Sequence, residues 1–169
     1  LLGIFRHVYP DKRVLVHKIG PSESTGLAEA MDAHPFPGQL IPIKETVAYR
    51  GTQGDIDNLC EKFPTAVHRL LAHENQMHAA TLHRIDDIIG KDLETRIAGE
   101  LIDLATRIGQ KTKDGVKIIV RLTRNRVSKM MGCAPESVIR VMSDWEKKGW
   151  ISTTNGYVTI HDLHKLDSL

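Results

Sequence analysis

Cysteine is nearly absent. The two present, Cys60 and Cys133, are too few for a disulfide framework and suggest a reducing compartment, so a cytoplasmic protein is expected. No apolar run approaches the ~20 residues that a membrane helix needs, so no membrane association is expected. Leu1-Leu2-Gly3-Ile4-Phe5 is short and soon meets charged residues, unlike a signal peptide. An initiator Met is missing as well, and the chain is expected to continue before Leu1. A Gly-rich phosphate loop, a nucleophile elbow and a His-Glu-x-x-His motif are all lacking, which argues against an enzyme. What remains is 41% hydrophobic and 26% charged, the composition of an ordinary globular chain.

Net charge is only +2, but it is unevenly spread. Residues 1–92 carry 10 basic and 12 acidic residues; residues 93–169 carry 13 and 9. Within Arg107–Lys148 there are 11 basic residues against 4 acidic, net +7 over 42 residues. Such a local excess is what phosphate backbones attract, although a solvated basic surface would look the same by charge alone.

Residues 1–63 read as β structure. Ile4–Tyr9 and Arg13–Ile19 are apolar, β-branched runs flanking a Pro10-Asp11-Lys12 turn signal. Pro35, Pro37, Gly38 and Pro42 exclude a long helix, and Gln39–Ile43 and Thr46–Tyr49 read as further strands. Asp55–Phe63 reads as one or two helical turns. From Thr65 to Gly90 the pattern is helical. Leu71, Asn75, His78, Leu82, Ile85 and Ile89 follow a 4-3-4-3-4 spacing, the signature of a coiled-coil seam. A helix of this length, ~39 Å at 1.5 Å per residue, exceeds what the small β segment can cover, so pairing with a second copy is expected. Gly90-Lys91-Asp92 then breaks the helix as a candidate hinge. Asp92 is the N-cap of a helix Leu93–Ile108 with Ile97, Leu101, Leu104 and Ile108 on one face. Gly109 ends it, and Val116–Leu122 reads as a strand.

Thr123–Gly149 carries the most information. Thr123 caps a short helix that buries Val127, Met130 and Met131. Gly132 stands where the chain must turn in a left-handed conformation, and Pro135 opens a second helix. There Val138, Val141, Met142 and Trp145 form a core face, and Glu136, Ser137 and Arg140 lie on another. Helix, Gly turn, helix is the helix-turn-helix plan, whose second helix enters the major groove. Arg140 suits guanine O6 and N7, Glu136 suits a cytosine amino group and could also orient Arg140, and Ser137 is a less specific partner. The bland alternative is that Glu136 and Arg140 form an exposed ion pair. Asn155-Gly156 between Trp150–Ser152 and Tyr157–Ile160 is a hairpin signal, which completes a winged helix.

Leu122–Arg140, Trp145–Ile151 and the closing Ile160–Leu163 resemble the Crp/Fnr family of bacterial transcription regulators. The resemblance implies an α+β chain: a β-roll (cupin-like) effector-sensing domain whose C-terminal part is residues 1–63, a dimerisation helix at 64–91, and a winged-helix DNA-binding domain at 92–169. It assigns base reading to Glu136 and Arg140, and phosphate contacts to Thr123 and Arg124. Pro135 stands where some members carry a third base-reading Arg, and Ile139 where Fnr-like members have Ser. The implied partners are double-stranded DNA with an inverted-repeat site, a second copy of the chain, RNA polymerase and a small-molecule or gas effector.

The effector half departs from the cyclic-nucleotide binders of that family. Leu27 replaces a ribose-holding Glu, Pro35-Phe36-Pro37-Gly38 stands where a phosphate-pairing Arg is usual, and no Arg or Lys occurs between Lys18 and Lys44. Leu27, Met31, Phe36 and Thr81 are the expected pocket, suited to an apolar ligand or a haem face. The cofactor stays unknown: a haem ligated by His7, His17 or His34, an iron–sulfur cluster held by a preceding segment, and a colourless effector all remain open, with nitric oxide or a redox signal as candidate inputs. His68, His73, His78 and His83 spiral around their helix and cannot converge on a metal ion. The expected function is therefore a DNA-binding regulator gated by something other than a cyclic nucleotide. The alternatives are a cyclic-nucleotide-responsive regulator and a winged-helix interaction module that does not bind DNA.

Overall fold

The computed structural model describes residues 1–9 and 12–169, and all of their side chains except those of residues 7–9 and 12. The Pro10-Asp11 turn signal lies outside the described residues. The chain divides into two units, Leu1–His7 with Leu15–Ile85, and Val8–Val14 with Asp86–Leu169. The mixture of helices and antiparallel sheets is the α+β class expected.

The first apolar runs become β1 (Leu2–Tyr9) and β2 (Lys12–Ile19), of which Leu2–His7 and Leu15–Ile19 belong to the first unit. A five-residue helix α1 (Leu27–Met31), absent from the sequence reading, begins at Gly26 with φ of 80°. It is followed by β3 (Gln39–Pro42), antiparallel to β1 with Leu2 opposite Pro42 and Phe5 opposite Gln39. The strand order is β2-β1-β3, so Pro42 lies on an edge strand, where its missing N–H is tolerated. Ile4, Phe5, Leu15, Ile19 and Ile43 are buried. The expected strand Thr46–Tyr49 does not form. Val47 is 85% and Tyr49 99% exposed, and an apolar run with nothing to pack against has no reason to pair.

Helix α2 (Gln53–Lys62) starts two residues earlier than expected because Thr52 is its cap. Thr52 Oγ1 accepts from the Asp55 N–H and the Asp55 carboxylate accepts from the Thr52 N–H, a reciprocal capping box. Helix α3 (Ala66–Gly90) runs through both units without burying a single residue fully. Leu70, His73, Met77, Ala80, Thr81 and Arg84 are half-buried along one side, while Leu71, Leu82, Ile85 and Ile89 stay in solvent.

The second unit contains α4 (Leu93–Ile108), β4 (Gly109–Thr112), β5 (Gly115–Ile118), α5 (Arg124–Met131), α6 (Pro135–Lys147), β6 (Ile151–Thr154), β7 (Tyr157–Ile160) and α7 (Leu163–Asp167). Asp92 caps α4 by accepting from the Thr95 N–H at 2.8 Å. Gly109 ends α4, as expected, and at once begins β4. A Cβ there would collide with the Ala105 carbonyl, so only glycine lets the chain leave α4 directly into a strand. The sheet is antiparallel in the order β4-β5-β7-β6. The expected strand Val116–Leu122 stops at Ile118. Beyond it Val120 and Leu122 are buried, and the Leu122 N–H bonds to the Gly156 carbonyl. The core combines Ile97, Leu101 and Leu104 of α4, Val127, Met130 and Met131 of α5, Val138, Met142 and Trp145 of α6, and Ile151, Val158 and Ile160 of the sheet. Ile108 and Val141, expected in this core, are half-buried.

Candidate nucleic-acid interface

The turn between α5 and α6 is built by local chemistry. Thr123 Oγ1 accepts from the Arg126 N–H at 3.2 Å and starts α5. Gly132 ends it at φ 68°, a left-handed conformation that would cost any other L residue about 1–2 kcal/mol. The Cys133 N–H then bonds back to the Ser128 carbonyl at 3.1 Å. Pro135 occupies the first turn of α6, where no backbone donor is needed, and Ala134 gives no side-chain cap.

Helix α6 has two unlike sides. Val138, Met142 and Trp145 are 0% exposed. The Trp145 indole N–H also donates to Glu94 Oε1 at 2.8 Å, fastening α6 to α4. On the other side Glu136, Ile139 and Arg140 are exposed, with Ser137 half-exposed beside them. Glu136 and Arg140 are one turn apart yet make neither an ion pair nor a side-chain hydrogen bond. Between these two described residues the contact expected to orient Arg140, which the bland alternative takes as an exposed ion pair, does not form. Elsewhere in this unit the same spacing is used: Arg107 pairs with Asp103 at 2.9 Å and Lys148 with Asp144 at 2.6 Å.

Arg124 sits differently from a free phosphate-binding cation. Its guanidinium donates to Glu146 Oε1 at 2.7 Å and to Thr153 Oγ1 at 3.2 Å, which ties the start of α5 to the end of α6 and to β6. Thr123, its neighbour, is exposed. The wing turns at Asn155 (φ 53°) and Gly156 (φ 81°), as the Asn-Gly signal requires. Both carbonyls of that turn are held, Gly156 by the Leu122 N–H at 2.7 Å and Asn155 by Arg121 Nε at 3.1 Å. Arg126 in turn donates to the Arg121 carbonyl at 3.2 Å, and burial pushes its guanidinium below its ordinary pKa. Sequence reasoning did not single out Arg121 and Arg126 at the wing. In sequence they are visible only as part of a charge-rich run.

The expected effector residues are spread over the first unit. Leu27 is half-buried, Met31 is 51% exposed, and the Phe36 ring lies over Gly26 and Gly38. The Thr81 hydroxyl donates to the Met77 carbonyl within its own helix at 3.0 Å. His34 Nδ1 is 2.8 Å from Asp32 Oδ2, His17 is half-buried, and the His7 side chain lies outside the described residues. His73 Nε2 contacts the Ser24 carbonyl at 2.7 Å, fastening α3 to the loop before α1, a contact the sequence did not reveal. Among the described residues no group of three or more His, Cys, Asp or Glu side chains gathers as a metal site. All six residues of the α3 stripe, Leu71, Asn75, His78, Leu82, Ile85 and Ile89, are exposed, Ile89 by 81%.

Residues 95–169 match the Crp-like helix-turn-helix domain. Over 158 residues the chain is 25% identical to the CRP-like cAMP-activated global transcriptional regulator of Mycobacterium tuberculosis, spanning 93% of this chain and 70% of that one. Its fold is similar to that of a CRP-family transcriptional regulator from Thermus thermophilus, with a TM-score of 0.83 at 20% identity over 99% of this chain and 82% of that one. A CRP/FNR-family regulator from the same organism gives 0.74 at 18% identity over 99% and 81%.

Proposed function

We propose that this chain, whose residues 95–169 match the Crp-like helix-turn-helix domain, is a Crp/Fnr-type transcription regulator that binds an inverted-repeat DNA site as a homodimer, under an effector other than a cyclic nucleotide. The observation that carries the DNA reading is the division of α6: one side fully buried, the other presenting unpaired Glu136 and Arg140 with Ser137. An exposed helix face whose charged ends are engaged with nothing suits contact with base edges. Thr123 lies beside it for phosphate contact. Arg121, Arg124 and Arg126 concentrate positive charge near the wing. Residues 64–91 pair two protomers through the α3 stripe, which remains uncovered in the single chain. Two recognition helices related by a two-fold axis address half-sites about one helical turn, ~34 Å, apart. In this reading residues 1–63 belong to the effector-sensing part, residues 92–169 read DNA, RNA polymerase is the further partner, and the protein works in the cytoplasm without enzymatic activity.

The likeness to a cAMP-activated regulator favours a cyclic-nucleotide effector as the second reading. Against it stands the composition of the loop. Residues 19–43 hold no Arg or Lys but three carboxylates, Glu23, Glu29 and Asp32. Burying a phosphate there without a cation costs several kcal/mol, and each ~1.4 kcal/mol is tenfold in affinity. Apolar Leu27 and Phe36 suit a neutral or haem-like ligand better.

The DNA reading is tested by selecting duplexes from a random pool and measuring binding against salt. A steep fall with salt and a two-fold symmetric footprint are expected. A salt-insensitive interaction, or a single asymmetric half-site, would overturn it in favour of a protein-binding winged helix.

A further inference from the structure

Two residues of the α3 stripe are polar, Asn75 and His78, and both are exposed. At ~100° per residue the stripe from Leu71 to Ile89 stays within about 40° of one line, and His78 lies about 20° from its middle. In heptad terms Asn75 takes an a position and His78 the d position that follows. A lone Asn at a meets its own copy across a parallel pair and fixes the register. The same register brings His78 against its own copy one layer on.

Little near His78 can neutralise a charge. Residues 75–82 contain no Asp, Glu, Lys or Arg. His78 makes no hydrogen bond or ion pair among the described residues. Glu74, one turn before, flanks the stripe about 60° from its middle, and a pair at that spacing shifts an equilibrium by no more than about twofold. Asp86 and His68, on the other flank, lie ~12 and ~15 Å away along the axis. Both distances exceed the ~8 Å screening length of physiological salt.

We propose that His78 makes pairing of two chains proton-linked: the dimer forms with neutral imidazoles, and acid drives it apart. This rests on the dimer reading above and assigns its regulation. A neutral imidazole carries one donor and one acceptor, so two that meet can share a hydrogen bond. Two imidazolium rings offer donors only, repel each other and must shed water to enter an apolar seam. The pair therefore binds fewer protons than two separate chains. By linkage, its stability falls as pH drops through the range where histidine titrates.

Sedimentation of the full chain at pH ~7.5 and ~5.5, on either side of the histidine range, measures the dimer dissociation constant, and circular dichroism at both checks that the fold is kept. The constant should rise about tenfold in acid if one proton must leave and about a hundredfold if both must. His78→Leu should pair at least as tightly and lose the acid effect. His78→Gln, which keeps a neutral donor and acceptor, should lose it as well. A dissociation constant that does not change with pH, or the same rise in His78→Leu, overturns the inference and leaves the seam in place. If Leu82→Lys leaves the association state unchanged at both pH values, the seam itself is wrong and the inference falls with it.

Discussion

Replacing Arg140 by alanine separates recognition from stability, because that guanidinium has no partner among the described residues. Its removal breaks no contact within the fold, and alanine is at least as good a helix former as arginine. The melting temperature should therefore hold, within the ~0.5 kcal/mol usual for exposed substitutions. On DNA the loss should be large. A bidentate contact to guanine discriminates by about 1–3 kcal/mol, and a two-fold complex makes it twice. The expected deficit is about 2–6 kcal/mol, a factor of ~30 to ~2 × 10⁴ in Kd. Arg124→Ala provides the contrast. It removes charge-assisted hydrogen bonds worth about 1.5–3 kcal/mol, discounted toward the low end because Arg124 and Glu146 are 21% and 31% exposed. The melting temperature should drop by about 4–8 °C per kcal/mol for a unit of this size, and binding should weaken alike on all sequences, with the salt slope flattened by about two, one phosphate contact per protomer. The assays are gel-shift titrations on the selected duplex and a scrambled one at two salt concentrations, beside thermal melts. Equal losses on both duplexes for Arg140→Ala, or a melt lowered by several degrees, would refute the assignment.

Leu82→Lys combined with Ile89→Lys should convert the dimer to a monomer at micromolar concentration, since burial of four such side chains across a two-fold seam is worth roughly 6 kcal/mol or more. Sedimentation of an unchanged dimer would place the interface elsewhere. Cyclic AMP and cyclic GMP should bind only in the millimolar range or weaker by titration calorimetry. A Kd below about 50 μM for either, coupled to tighter DNA binding, would reverse the effector reading. Asp92 supplies a pH dependence. The Thr95 N–H bonded to its carboxylate holds its pKa below the ordinary value. That contribution to stability is complete above the ordinary carboxyl range, about pH 4, and is lost as pH falls through the lowered value. Asp92→Asn still caps the helix but should show a shallower fall in melting temperature between about pH 5 and pH 3. Identical slopes for the two proteins would remove Asp92 from the account.

The winged helix was legible because each of its joints depends on a residue with one physical use: Thr123 and Asp92 as caps, Gly132 and Gly156 at positive φ, Pro135 at a first turn. Periodicity located α3 and α4 for a similar reason, since both carry one apolar stripe. Tertiary pairing was not legible. Arg124 was assigned by resemblance to phosphate, and only the folded chain brings Glu146 and Thr153, 22 and 29 residues away, to its guanidinium. Glu136 and Arg140 have the spacing of an ion pair but do not form one. The first unit was read less well, because Thr46–Tyr49 has the alternation of a strand without a neighbour to pair with, and α1 is too short to show a period.

Both tryptophans of the chain, Trp145 and Trp150, lie in the second unit, one at 0% exposure with its N–H bonded to Glu94, the other with Lys148 Nζ 4.8 Å from its ring centre. Tryptophan emission, excited where tyrosine does not absorb, is therefore a private channel of the second unit. Melting of the first unit is silent to it and has to be followed by circular dichroism, so agreement between the two signals tests whether the units unfold together. The same asymmetry turns any ligand of the first unit into an experiment on signal transmission. A compound that binds without altering the emission has stayed local, and one that shifts it has reached the winged helix.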